Sequence, residues 1–502
     1  MKSLAMVKDY EKTNPNKFNK ELLDLRFQDD ILEYLIDIAK ALETIDGVRF
    51  ISGKLETDES KFTPRKIGKG KNSGGRVNRS KEKQYWKEIK DSRVNLVTLK
   101  FEISGDGERQ IIELPLNVPK ITSDNSYYLN GNNYYAVFQL VDSSTYNNKD
   151  MVTLKSLLMP ISVKRKSIEM EDMEGKAYKT SMFFTHLFKQ KINLFYYYFA
   201  KMGYYKTLEY FGVDKSIILT ENEPESFKSN TIYFMLNKNL YMKVSKKRFN
   251  NDNYFRHCVA NIFDILQDRA RMKLENVNDE MGTYWRQRLG AIFTSNTSSQ
   301  IAKADTVLAS FNRIFDNCTK KSLRIDEEHK QDIYSIIRWI IKNFNSLMKK
   351  DNYSLLTKRI RLSEYICSDF CKLLSNSTYR LLNSKNVTLS KKQSLFSNIK
   401  RNIITRNAIQ NELIRYNNSV NVADLFTSKL KYSSRGPQSQ SEGGGKSVAV
   451  AYRGIHPSHI GRLDLNSCSN TDPGMSGHFT PFVDIDGFYF KTNKALQEES
   501  EE

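Results

Sequence analysis

Between Val94 and Leu140 the chain changes its periodicity, and this stretch constrains the fold more than any other. V-N-L-V-T-L-K-F-E-I alternates apolar and polar residues from Val94, and Gly105-Asp106-Gly107 supplies a turn. R-Q-I-I-E-L-P-L-N-V then resumes the alternation from Arg109. Asn130-Gly131 marks a second turn, with Tyr127, Tyr128 and Leu129 before it and Tyr134 to Leu140 after it. A two-residue period puts one face of each strand toward a core, and short Gly- or Asn-Gly-containing turns favour hairpins. The pattern predicts a small antiparallel sheet over 94–141.

Elsewhere the period is helical. Leu22, Leu23, Phe27, Ile31, Leu35, Ile38 and Leu42 recur at helix spacing and predict an amphipathic helix over about 19–45. From Thr180 to Lys350 the chain reads as mainly helical, with a strand pair near Thr231–Val244. The run L-F-Y-Y-Y-F-A-K-M-G-Y-Y from Leu194 is dense in aromatics. Aromatics can stack on bases, but at this density on a helix they fit a core better. I-Y-S-I-I-R-W-I-I-K from Ile333 predicts another helix, and the basic stretch from Leu395 to Asn417 is also read as helical. A chain of 502 residues exceeds one ordinary core. The fold class expected is therefore α+β and multidomain.

Charge narrows the partners. The 78 basic residues outnumber 58 acidic ones, for a net +20. Such a surface attracts a polyanion, or serves only solubility. Lys61–Lys90 holds eleven Lys or Arg against Glu82 and Glu88 alone, so it is either a polyanion contact or a loop without a duty. No apolar run approaches the ~20 residues needed to span a bilayer, and the N-terminal residues carry no secretory signal pattern. Five scattered cysteines fit a reducing compartment. Of these, Cys367 and Cys371 fit an inert buried pair.

No phosphate-binding Gly-rich loop, H-E-x-x-H or G-x-S-x-G motif is present, so no catalytic residue is assigned. Asp484-x-Asp486-Gly487 resembles a metal-binding carboxylate pair but fits a turn between strands better. His456, His459 and His478, with Cys468 between, have residue types that suit zinc, but their spacing matches no structural zinc motif. They support a zinc-dependent hydrolase only as an alternative, and no metal ligand is assigned. A third constellation is basic and flexible. Arg435, Lys446, Arg453 and Arg462 flank the Gly/Ser-rich segment S-S-R-G-P-Q-S-Q-S-E-G-G-G-K-S, with Gly443, Gly444 and Gly445 at its centre. Guanidinium forks and close-approaching glycine backbone suit phosphate oxygens.

These same residues carry a resemblance. I-H-P-S-H-I-G-R, Ile455 to Arg462, resembles the V-H-P-[ST]-H-Y-G-R stretch of multi-subunit RNA polymerase β subunits. Arg453 stands where that family has an arginine, and the Gly-rich segment stands where it has its fork loop. N-V-A-D-L-F-T-S-K-L-K-Y-S-S-R-G-P from Asn421 resembles the segment preceding that loop. A second stretch, Glu113 to Leu140, is similar to the family's L-P-x-M-T-x-x-G-[TS]-F-[IV]-[IV]-N-G-x-E-R-V-[IV]-V-x-Q-L, with Asn130, Gly131, Gln139 and Leu140 matching. The two stretches cover about a quarter of the chain.

The resemblance implies protrusion, lobe and fork architecture. It gives 1–160 and 371–430 as the protrusion, 161–370 as a mainly helical lobe, and 431–502 as the fork region with an acidic tail. It implies the N-terminal piece of a split β subunit, as in giant phiKZ-related bacteriophages, with the non-virion polymerase favoured. Such a chain would be inactive alone and would work in the cytoplasm of an infected bacterium. Its partners would be a C-terminal β fragment, two β′ fragments, a promoter-specificity subunit, the DNA template and the RNA transcript, with no membrane. Mg2+ would be bound by another subunit. Arg453, His456, His459 and Arg462 would either touch nucleic acid or brace the fork. The counterparts of the rifamycin pocket would be Ser428, Lys431 and Ser433. A histidine and an arginine of the family pattern are missing there, so rifamycin resistance is expected. After Arg462 only Thr471, Pro473 and Gly474 keep the family pattern, and Asn133-Tyr134-Tyr135 replaces its E-R-V. The alternative outside this family is a stand-alone binder of single-stranded nucleic acid.

Overall fold

The computed structural model describes residues 27–56, 92–105, 107–121, 126–156, 160–187, 190–224, 229–237, 239–267, 273–279, 282–313, 315–361, 364–383, 388–419, 421–437, 439, 448, 450–480, 483, 485–486 and 488–490. The Lys61–Lys90 stretch, Gly443, Gly444, Gly445, Lys446 and the acidic tail lie outside them. The architecture is α+β, and the chain divides into two compact units. One comprises 1–43, 47–143 and 351–502, and the other 44–46 and 144–350.

In the first unit, helix Phe27–Ala41 buries Ile31, Tyr34, Leu35, Ile38 and Ala39, the stripe its periodicity required. Both expected hairpins form. Val94–Gly105 pairs with Glu108–Pro119 through a turn in which Gly107 has φ 82°. Ser126–Leu129 pairs with Asn132–Ala136 through Asn130 (φ 50°) and Gly131 (φ 79°), left-handed backbone that Asn and Gly accept most readily. The single sheet expected over 94–141 does not form. Its strands distribute over three sheets, because they take neighbours from outside this stretch, both earlier and later in the chain. Val94–Gly105 is flanked by Val48–Glu56, Asn132–Ala136 takes Ile414–Tyr416 as its second neighbour, and Phe138–Asp142 enters a third sheet.

That third sheet has five strands in the order Lys358–Arg361, Phe138–Asp142, Lys431–Ser433, Ser476–Phe479, Leu463–Asp464. Phe138–Asp142 and Lys431–Ser433 run parallel and the other neighbours antiparallel. Phe138, Leu140, Ile360, Tyr432, Leu463 and Phe479 are buried in or against it. Tyr432 stacks on Phe479 at 5.2 Å. The basic stretch read as helical, Leu395–Asn417, takes in the end of helix Leu389–Ser397 and the helix Ile403–Gln410, but it closes on the strand Ile414–Tyr416.

The second unit is built on an antiparallel sheet that the sequence pattern did not announce. Its order is Gln190–Asn193, Ala177–Leu187, Ile161–Glu171, Met151–Leu154, Thr145–Asn148. Helix Asn253–Gln267 packs on it, and the buried Asn261 side chain accepts from the Phe183 amide at 2.9 Å while donating to His257 O. The aromatic helix Leu194–Met202 is core, as its density suggested. Phe195 through Ala200 are essentially dry, except that Tyr196 is slightly less so. Phe195 stacks on Phe211 and Tyr197 on Phe311, each at 4.5 Å, and the Tyr198 hydroxyl donates to Tyr334 O at 2.7 Å. Buried rings of this size dominate a core's stability, so they are spent on packing and offer no face to a base.

Candidate functional site: the Arg435–Arg462 segment

The site is assembled by the five-stranded sheet of the first unit. The pairing Tyr432↔Phe138 and Ser433↔Gln139 joins positions almost 300 residues apart. Gln139 is fully buried, and its amide nitrogen donates to Arg435 O at 2.7 Å and Pro437 O at 3.0 Å. The buried Arg361 guanidinium closes the arrangement. It donates to the Gln139 side-chain oxygen and, at 2.7 Å, to Pro437 O. The first residues of the Gly-rich segment, Arg435 to Pro437, are thus clamped against the sheet.

A carboxylate bridges the start of the Gly-rich segment to the helix Val450–Arg453 that follows it. Asp472 lies 3.4 Å from Arg435 and 3.2 Å from Arg453, one oxygen to each guanidinium. The Arg453 Nε is buried, with no hydrogen-bond partner among the described residues. Backbone bonds reinforce the seam, from Ser434 N to Met475 O at 2.7 Å and from Gly474 N to Arg453 O at 2.8 Å. Gly474 is obligatory here, since a Cβ would lie 2.4 Å from Gly454 O. Its identity follows from close backbone approach.

Beneath Tyr452 sits a second ionic group. Lys358 donates to Asp142 at 2.5 Å and to the Tyr452 hydroxyl at 2.9 Å, with all three side chains buried. Burial pulls the Lys358 ammonium below its usual range, and Asp142 opposes that pull.

The HPSH residues form one 3-10 turn, Pro457–His459. Nε2 of His456 is 2.9 Å from Asp351, and its Nδ1 accepts the Ser458 amide at 3.2 Å. His459 is buried and its Nδ1 accepts the His456 amide at 3.3 Å, so the two histidines cap the turn reciprocally. Burial, then His456 and Lys358, lower His459 to about 4. It is a neutral acceptor near pH 7. Ser458 Oγ accepts from Leu355 N at 2.8 Å, and Arg462 donates to Ser458 O at 3.2 Å. His478 is on the neighbouring strand, opposite Lys431 and Asp464, and burial and the Lys431 charge lower its pKa. Among the described residues no three His, Cys, Asp or Glu side chains come together as a group that could hold a metal ion. Ile485–Asp486 pairs with Tyr489–Phe490, so Asp486 ends a strand of a hairpin, while Asp484 and Gly487 of the same motif lie outside the described residues.

The residues expected as rifamycin-pocket counterparts fall nearby. Ser428 is buried, Lys431 and Ser433 are half-buried, and Ser433 Oγ accepts from Arg435 N at 3.2 Å. Lys431, Ser433 and Arg435 line a groove of about 510 Å3 together with Arg415, Cys468 and His478. Glu412 is the acid among its described lining residues. Such a groove is suited to an anionic ligand.

The sequence had no local signal for Asp142, Asp351, Lys358, Arg361 or Asp472. Each acts on a partner far along the chain or across a loop. Cys367 and Cys371 are buried, with burial pushing the Cys367 thiol up. None of the described helices is long and apolar enough to cross a membrane. A family model described as non-virion RNA polymerase subunit matches residues 4–501. No curated protein matches the chain.

Proposed function

Since the chain belongs to the non-virion RNA polymerase subunit family, we propose that it is the N-terminal piece of a split β subunit, contributing protrusion, lobe and fork. The observation that carries this reading is the parallel pairing of Phe138–Gln139 with Tyr432–Ser433. It puts side by side the two stretches that resemble β subunits. The matching residue Gln139 holds the start of the Gly-rich segment.

In this reading the chain supplies no catalytic group. It lines the cleft with cations, Arg435, Arg453, Arg462 and Lys446, and template-directed RNA synthesis needs the assembled complex. Mg2+ is held by another subunit. The partners are the C-terminal β fragment, two β′ fragments and a promoter-specificity subunit, working on DNA and RNA in the cytoplasm of the infected host. The burial of the aromatic helix weighs against a stand-alone single-strand binder, which would need exposed rings.

Reconstitution tests this. Co-expression with the other polymerase subunits of the same genome should recover one complex, and omission of this chain should abolish RNA synthesis. An isolated chain with its own activity, or a full-rate polymerase lacking it, would refute the reading. Transcription by the complex is expected to continue at rifamycin concentrations that stop a bacterial enzyme.

A further inference from the structure

We propose that one face of the second unit's five-stranded sheet holds a nucleic-acid backbone along a diagonal line of cations, Lys166, Lys164, His186 and Lys191. That the polyanion is nucleic acid rests on the polymerase reading. The surface itself rests on strand register and contacts.

The register brings these residues to one face. Lys166 pairs with Met182, Lys164 with Phe184, and His186 with Lys191. Paired residues, and residues two apart on a strand, share a face. Lys166 and Lys164 are then about 7 Å apart along their strand. His186 is the diagonal neighbour of Lys164 at about 7–8 Å, and Lys191 stands across from His186 at about 5 Å. The contacts agree. The Lys191 ammonium lies 4.4 Å from the Phe184 ring centroid, and the His186 ring lies 5.4 Å from it. Burial, then the charges of Lys164 and Lys191, lower the His186 pKa, so the imidazole senses both lysines. Lys166, His186 and Lys191 are exposed, and Lys164 and Phe184 half-buried. Helix Asn253–Gln267 covers the opposite face, where Phe183 meets His257.

No carboxylate answers these charges. Glu169 and Glu171 take the alternate positions of the same strand and so the opposite face. Asp150 pairs with Arg165, also of alternate parity. Lys164, Lys166 and Lys191 have no acidic partner among the described residues. The cations run along a line instead of converging on a point, which suits an extended polyanion rather than a small ion. Lysine is depleted from protein–protein interfaces, whereas lysine–phosphate contacts supply the sequence-independent part of nucleic-acid binding. A flat sheet face of this kind touches backbone and reads no bases. A second copy would bring another net +20 chain to the same place.

The experiment titrates the full-length chain with a fluorescent, mixed-sequence single-stranded DNA oligonucleotide at several salt concentrations. Lys164→Gln/Lys166→Gln/Lys191→Gln should bind about tenfold more weakly, and the slope of log affinity against log salt should become shallower by about two. An unchanged slope overturns the proposal, while the subunit assignment stands or falls separately on reconstitution. Because Lys164 is half-buried, Lys166→Gln/Lys191→Gln, both at exposed positions, replaces the triple variant if that one misfolds, and its slope should become shallower by about one. A second readout is one that a merely structural role would not move. The His186 NMR signal, identified by its loss in His186→Gln, should titrate at higher pH once the oligonucleotide is added, because a nearby phosphate favours the imidazolium. A titration that DNA leaves unchanged overturns the contact. So does one that moves with poly-glutamate and not with DNA, which would assign the face to an acidic protein.

Discussion

Two ionic clusters built from the same chemistry lie around one short helix, Val450–Arg453, and they differ in their access to water. In the first, Asp142 and Lys358 expose 4% and 6% of their side chains. In the second, Arg435 and Arg453 expose 49% and 38% around Asp472. Ion pairs in the interior exist only while every member is present, because a lone buried charge has no solvent to turn to. At the surface, water or another anion can replace a lost partner. The first cluster is therefore a frame that fixes Tyr452, and the second is a clasp that a phosphate could open.

Removing one member of the frame should have the largest effect. Lys358→Met takes the ammonium away from the buried Asp142 carboxylate, and is expected to cost about 3–5 kcal/mol in urea unfolding of the chain. Adding Asp142→Asn should restore much of that loss. If the double variant is no more stable than the single one, the cluster is not a coupled frame and the contrast with the clasp collapses.

Acid should attack the same neighbourhood next. His459 is held neutral, with its folded value near 4 against 6.5 in the unfolded chain. The unfolded state then binds more protons between these values, so stability is full above about pH 6.5 and falls as pH drops toward 4. The expected loss is on the order of 2 kcal/mol, allowing for solvent screening. His459→Asn retains an acceptor for the His456 amide but does not titrate, so its unfolding profile should be flatter across that window. An unchanged slope would assign the acid sensitivity to other groups.

The frame and the clasp also mark what the sequence could and could not reveal. Turn chemistry made both hairpins legible, because Gly107, Asn130 and Gly131 act on their own neighbours. The aromatic helix was legible as core because its composition admits few other uses. The second unit's sheet was missed because Lys164, Arg165, Lys166, Glu169 and Glu171 make the strand Ile161–Glu171 look like a solvated segment. Lys166, Ser167, Glu169 and Glu171 are indeed exposed, while Ile161, Val163 and Met170 are buried in the core. The Gly175 turn was the available signal. At the site, the resemblance marked Arg435, Arg453 and the histidines but not their partners. Asp142 and Lys358 are 216 residues apart, and no short-range pattern connects them.

Gly474→Ala asks whether the seam under the clasp is as rigid as the frame. The added Cβ would meet backbone, Gly454 O at 2.4 Å, rather than a side chain able to swing away. A cost of about 1–3 kcal/mol is expected from such overpacking. A neutral result would show that the seam yields, and that the clasp rather than the backbone closes the base of the Gly-rich segment.

Asp472→Asn should change stability least, by under about 1 kcal/mol, because its arginine partners are well exposed. Its effect belongs in binding. With the carboxylate gone, Arg435 and Arg453 lose the anion that bridges them, and in the assembled polymerase both become available to phosphate. Nucleic-acid affinity of the complex should rise, and log affinity should fall more steeply with log salt, by roughly one for each further phosphate neutralised. The contrast between the clusters predicts this separation, with a large stability cost at Lys358 and a steeper salt slope at Asp472. Should Asp472→Asn instead destabilise the chain as much as Lys358→Met while leaving the salt slope unchanged, both clusters are frames. The arginines would then brace the fork rather than touch nucleic acid.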